Sequence, residues 1–182
     1  MNSGGQDDTW LLLVYRVPSE PTRLRAAVWR RLKSLGAIYL QNSAAALPAS
    51  VGGERALRKL RREILDMSGT AVLLSCSVLA GEQGVLDAFQ AARDDEYAEI
   101  IDKCEDFLAE VHKEYVAEHF SYAELEENEV DLVKLRTWIA RVTERDVFGA
   151  SGREAAEQGL AACEQALEEY AARVYAEEAE SR

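Results

Sequence analysis

Residues 10–48, WLLLVYRVPSEPTRLRAAVWRRLKSLGAIYLQNSAAALP, hold a strand, a basic helix and two further strands in one short stretch. No other feature constrains the fold as much. The run 10–17 is continuously apolar and β-rich, as expected of an interior strand. Pro18 and Pro21 stop that strand and open a helix, whose first turn tolerates a fixed φ. Leu24, Val28, Leu32 and Leu35 then recur at spacings of four, four and three, which makes one apolar stripe. Gly36 stands where a C′ glycine ends a helix. A strand over 37–41, an Asn42-Ser43 turn and a returning strand over 44–47 follow. After Gly52-Gly53 a second basic helix is predicted over about 54–67, with Leu57, Leu60 and Ile64 inward. TAVLLSCSVL, residues 70–79, reads as the last strand. The order β-α-β-β-α-β predicts an α+β chain: a ferredoxin-like domain over 1–80, with both helices on one face of an antiparallel sheet.

Gly81 and Gly84 mark a change, because everything beyond them has helical periodicity. Tyr97, Ile100, Ile101, Cys104, Phe107, Leu108, Val111 and Tyr115 form one amphipathic stripe. A second is Leu132, Leu135, Trp138, Ile139 and Val142; a third is Leu160, Cys163, Leu167, Tyr170 and Val174. Ser121-Tyr-Ala-Glu124 fits a capping box, with Asn128 as the alternative cap, and Ser151-Gly-Arg-Glu154 fits another. Residues 81–182 therefore read as an antiparallel three-helix acidic bundle, either docked on the sheet domain or swapped between the chains of a homodimer.

The net charge of −12 conceals a division. Residues 1–80 carry 11 Lys and Arg against 6 Asp and Glu, a balance of +5; residues 81–182 carry 10 against 27, a balance of −17. Two halves that attract each other, or an anionic partner for the first half, both follow from such asymmetry. The polar, acidic start over residues 1–8 is unlike a signal peptide, and no apolar run approaches the roughly 20 residues of a membrane span. Cys76, Cys104 and Cys163 are odd in number and widely spaced on apolar faces, which fits free thiols in a reducing cytoplasm.

Candidate binding residues fall on the two basic helices. Arg23, Arg25, Arg30, Arg31 and Lys33 lie on the first; Arg55, Arg58, Lys59, Arg61 and Arg62 lie on the second. Side by side, they present guanidinium groups suited to DNA phosphate or to a tetrahedral oxyanion. A solvated face, partly paired with the acidic bundle, accounts for the same composition. A second cluster is Arg93, Asp94, Glu96 and Tyr97, with Arg93 in reach of Glu96 at i+3 and Tyr97 at i+4. It reads as a structural ion pair pinning the long helix to the sheet domain, and alternatively as an interdomain sensing point. Glu124, Glu126, Glu127, Glu129 and Asp131 lack the spacing of a cation loop, and His112 and His119 lack a third metal ligand. Trp29 and Trp138 read as core or interface residues rather than ligand platforms. There is no phosphate loop, nucleophile–base arrangement or nucleotide fingerprint, so neither an enzyme nor a cofactor is indicated.

The stretch 10–48, together with FQAARDDEYAE at 89–99, CEDF at 104–107, YAELEEN at 122–128 and FGA at 148–150, resembles the N-terminal domain of the chromate-resistance ChrB family. That resemblance covers about residues 9–176. It implies a cytoplasmic regulatory or accessory role in chromate resistance, with duplex DNA or the chromate oxyanion as partner. Longer members carry a second, C-terminal domain. A chromate-reducing enzyme and a dimerisation scaffold are the alternatives. In outline the first half is also similar to PaaX-type and Cas2-like domains. The metal-holding aspartate of those nucleases has no counterpart here, since the first strand ends Val14-Tyr15-Arg16-Val17-Pro18.

Overall fold

A computed structural model describes residues 9–180; the polar start at 1–8 lies outside the described residues. The elements are β1 (Trp10–Arg16), α1 (Thr22–Ser34), β2 (Ile38–Gln41), β3 (Ala44–Pro48), α2 (Val51–Asp66), β4 (Thr70–Cys76), α3 (Glu82–Val116), α4 (Tyr122–Arg145) and α5 (Arg153–Glu180). The chain divides into two compact units between Ala92 and Arg93, within α3.

The first unit is built on a four-stranded sheet of order β2-β3-β1-β4, antiparallel throughout. This is the ferredoxin-like arrangement expected from the element order, with apolar β1 at an interior position. Strand alternation sorts the side chains. Leu11, Leu13, Ala45, Leu47 and Ala71 pack against Val28 and Leu32 of α1 and Leu57, Leu60 and Ile64 of α2. Both helices thus cover one face. On the opposite face Trp10 is buried, with Phe89 set edge-on to it at 5.9 Å. Val14, Val72 and Leu74 on that face remain exposed.

Gly52-Gly53 does not delay α2 to residue 54, contrary to the expectation from sequence. The helix begins at Val51, and the Ser50 hydroxyl accepts a hydrogen bond from the Gly53 amide at 3.0 Å. A Cβ on Gly53 would come within 2.8 Å of the Leu47 side chain. The glycine therefore lets the helix start close against the sheet rather than breaking it.

The second unit is a three-helix bundle. Ion pairing of Arg136 with Glu164 and a hydrogen bond from Tyr122 to Glu178 run α4 antiparallel to α5. Tyr97, Ile100, Cys104, Phe107 and Val111 of α3 interleave with Leu132, Leu135, Ile139 and Val142 of α4 and with Cys163, Leu167, Tyr170 and Val174 of α5. Ser121 caps α4 as the capping box implies, while Asn128 is buried inside that helix and donates to the Glu124 carbonyl. His119 lies beyond the end of α3, so the two histidines do not share one helix. No helix among the described residues is long and apolar enough to cross a membrane.

Candidate functional site

The basic side chains of the sheet unit follow from the geometry of its helices. With Val28 and Leu32 turned to the sheet, Arg23 and Arg30, seven residues apart, fall on the solvent side of α1. All five cations of α1, Arg23, Arg25, Arg30, Arg31 and Lys33, are exposed, as is Arg16 at the end of β1. Among the described residues none of these six has an ion-pair partner; the pairs of the sheet unit are Arg58 with Glu54 and Lys59 with Glu63, both within α2. Six free cations on one element and its neighbouring strand end repel one another in the unliganded protein. An anion held there removes that repulsion.

The second helix contributes differently. Arg55 and Arg62 are exposed and have no ion-pair partner among the described residues, whereas Arg58 forms a close bridge to Glu54 at 2.6 Å. Arg61 is an anchor, because its Nε donates to the Ala71 carbonyl at 3.0 Å and ties α2 to β4. The ten residues proposed from sequence are therefore not equivalent. The α1 set is free to meet a ligand, and the α2 set is partly committed.

Trp29 is not a core residue. It lies one helical flank away from the apolar stripe, 50% exposed, with the Lys33 ammonium 5.6 Å from its ring centroid. Arg25, Trp29 and Lys33 at spacings of four were a legible sign of this cation–aromatic–cation flank. The apolar stripe alone hides it.

Arg93, Glu96 and Tyr97 are buried within the helical unit, and Asp94 beside them is partly exposed. Arg93 is 2% exposed and donates to Glu96 at 3.0 Å; the other Glu96 oxygen bridges to Arg145 of α4. Burial pulls the Arg93 guanidinium below its ordinary value, and Glu96 opposes that shift. Tyr97 does not meet Arg93 in the way its i+4 spacing implied. Its hydroxyl donates to Asp146 at 3.2 Å, and burial pushes the phenol upward. Asp146 in turn accepts the Ala150 amide at 2.9 Å.

Asp94 accepts the Gly152 amide at 2.7 Å and the Ser151 hydroxyl at 3.1 Å. Ser151 thus donates to α3 instead of forming the local capping box its sequence suggests. A Cβ on Gly152 would lie 3.0 Å from Tyr97, so glycine allows this approach. The arrangement ties three helices together through ion pairs and hydrogen bonds.

Two of the three thiols are enclosed, and Cys76 is half-buried. Cys104 and Cys163 are buried, and Cys163 Sγ donates to the Cys104 carbonyl at 3.5 Å. Burial foremost, then the neighbouring Cys104, pushes the Cys163 thiol up to about 12. Such a thiol stays protonated near neutrality, when the thiolate is the nucleophile.

A family model described as "Protein ChrB, N-terminal" matches residues 25–181. A curated relative, "Protein ChrB" of Cupriavidus metallidurans, is 31% identical over 93 residues, which cover 51% of this chain and 29% of the relative. The match thus spans less than a third of that relative's length. No solved structure matches the chain.

Proposed function

From the premise that the chain belongs to the family of ChrB N-terminal domains, we propose that it is a chromate-resistance regulatory protein whose sheet unit binds duplex DNA. One observation carries this reading: the five cations of α1 and Arg16 are exposed and, among the described residues, without an acidic partner, on an element otherwise well packed. Phosphate oxygens along a duplex match such a row, and arginine engages each one bidentately. Cys104 and Cys163, buried and with their thiols pushed upward, are poor candidates for thiol chemistry on chromate. The enclosed Arg93 network fits a structural tie better than an exchangeable oxyanion site.

Counterion release gives the test a quantitative form. Log affinity for duplex DNA falls with log salt at roughly −0.9 per phosphate contacted, so four to six contacts give a slope of about −4 to −5. Mobility-shift titrations across a salt series measure it directly. Absence of any shift at low salt removes DNA as the partner.

A further inference from the structure

Beside α1 the end of β1 and the β2–β3 turn enclose a cavity of about 520 Å³, within the size range of small-ligand sites. It is lined by Tyr15, Arg16, Arg25, Trp29, Tyr39 and Ser43, among others. The composition is unusual for a surface hollow: one indole, two phenols and two guanidinium groups, and no carboxylate. Lys33, whose ammonium lies 5.6 Å from the indole centroid, is not among the lining residues. The Tyr15 and Tyr39 hydroxyls are 3.1 Å apart. One O–H in such a pair is used on the other oxygen, which leaves the second phenol a proton to donate outward. Burial foremost, and then the Tyr15 hydroxyl, push the Tyr39 phenol upward.

A tetrahedral oxyanion would use the two arginines and leave the indole idle. A cationic ligand would be repelled by them. A planar ring bearing a phosphate uses every group present: the ring stacks on Trp29, its edge receives the phenol hydrogen bond, and the phosphate meets Arg16 and Arg25. We propose that this cavity is a nucleotide subsite, taking an unpaired nucleobase against Trp29 with its phosphate on Arg16 and Arg25. The inference rests on the reading of the sheet unit as a nucleic-acid surface and adds that this surface holds a base out of its stack. The same chemistry comes either from an unpaired nucleotide in a strand or from a free mononucleotide.

Fluorescence anisotropy on the full chain tests this with three probes: a labelled ten-nucleotide oligo(dT), a labelled duplex of the same length, and unlabelled thymidine monophosphate as competitor. Trp29→Ala raises Kd for oligo(dT) about tenfold, the scale of one lost base–aromatic stack, while Trp29→Phe stays within about threefold. Duplex affinity changes less than about twofold in either variant, because phosphate contacts carry it. Trp29 is half-exposed, and a circular-dichroism melt verifies that both variants fold. Competition by thymidine monophosphate that is lost in Trp29→Ala assigns the site to free nucleotides; Trp29-dependent strand binding without it assigns the site to a strand.

Oligo(dT) binding unchanged in Trp29→Ala overturns the subsite, as does an equal loss on oligo(dT) and duplex. Steep salt-dependent duplex binding with no Trp29 effect sinks this inference and leaves the DNA-binding reading standing. Trp29-dependent nucleotide binding with no duplex binding does the reverse.

Discussion

The two units use their positive charge in opposite ways. In the helical unit eight of the nine described Lys and Arg side chains are ion-paired: Arg93, Lys103, Lys113, Lys134, Arg136, Arg145, Arg153 and Arg173. Among the described residues of the sheet unit, Arg58 and Lys59 alone of eleven Lys and Arg side chains are paired with an acid. Acid supply explains part of this, since the sheet unit is poor in Asp and Glu. Placement explains the rest: the helical unit sets acids three or four residues from its bases, and α1 has none in its length. Charge in one unit is structural. In the other it is left to be met from outside.

The largest expected effect lies in the buried network, where the comparison is sharpest. Glu96→Gln leaves the Arg93 and Arg145 guanidiniums facing each other without their shared carboxylate. Removing one partner of a buried ion cluster costs about 3–5 kcal/mol, readable by urea denaturation. A loss under about 1 kcal/mol, no more than an exposed pair contributes, would erase the distinction between the two units.

Next comes alkaline stability. The thiol of Cys163 sits up to about 12 in the folded chain, above the roughly 8.5 of an unfolded cysteine. Between those values the unfolded state has lost a proton that the folded state keeps. Stability is therefore intact below about pH 8.5 and falls as pH rises towards 12. Melting temperatures of wild type and Cys163→Ala across that range check it, with the variant showing the shallower decline. Native-state alkylation near neutrality is correspondingly slow at Cys163 and Cys104.

Smaller again is the loss of the cap that α3 lends to α5. Asp94→Ala strips the acceptor from the Gly152 amide and the Ser151 hydroxyl, at a cost of about 1 kcal/mol. Ser151→Ala costs less, because the amide bond to Asp94 survives. Equal losses in the two variants would mean that the hydroxyl, and not the backbone amide, holds the junction.

Much of the fold was legible because its signals are local and periodic. The stripes of α1, α2 and α5, the Asn42-Ser43 turn and the Ser121 cap depend on spacings a few residues long. What escaped depends on distant partners. Asp94 meets Ser151 and Gly152 across 57 and 58 positions, and no local pattern announces a cap supplied from another helix. Tyr97 is diverted to Asp146 across 49 positions for the same reason. The Trp29 cavity draws on β1, α1 and the β2–β3 turn, so only the assembled sheet brings its aromatics and arginines together. The basic helices were visible from composition, but their unequal commitment was not. Arg61 reads like Arg62 in sequence, and only the register of α2 against β4 turns one to a backbone carbonyl.

The smallest effect on stability is expected where the binding effect is greatest. Arg23, Arg30 and Arg31 are exposed and unpaired among the described residues, so replacing all three by alanine breaks no ion pair there and relieves repulsion within α1. Alanine is also the best helix former, and the change in stability stays within about 0.5 kcal/mol or is slightly favourable. The salt slope for duplex DNA should flatten by about three contacts, roughly 2.7 in log–log units. The matched control in the other unit, Lys103, Lys113 and Lys134 to alanine, breaks four ion pairs, three of them between exposed side chains, and leaves the slope alone. Mobility shifts and urea denaturation on the two triple variants give a two-by-two outcome. If both triples flatten the slope alike, DNA responds only to net charge, and the free cations of α1 have no special standing.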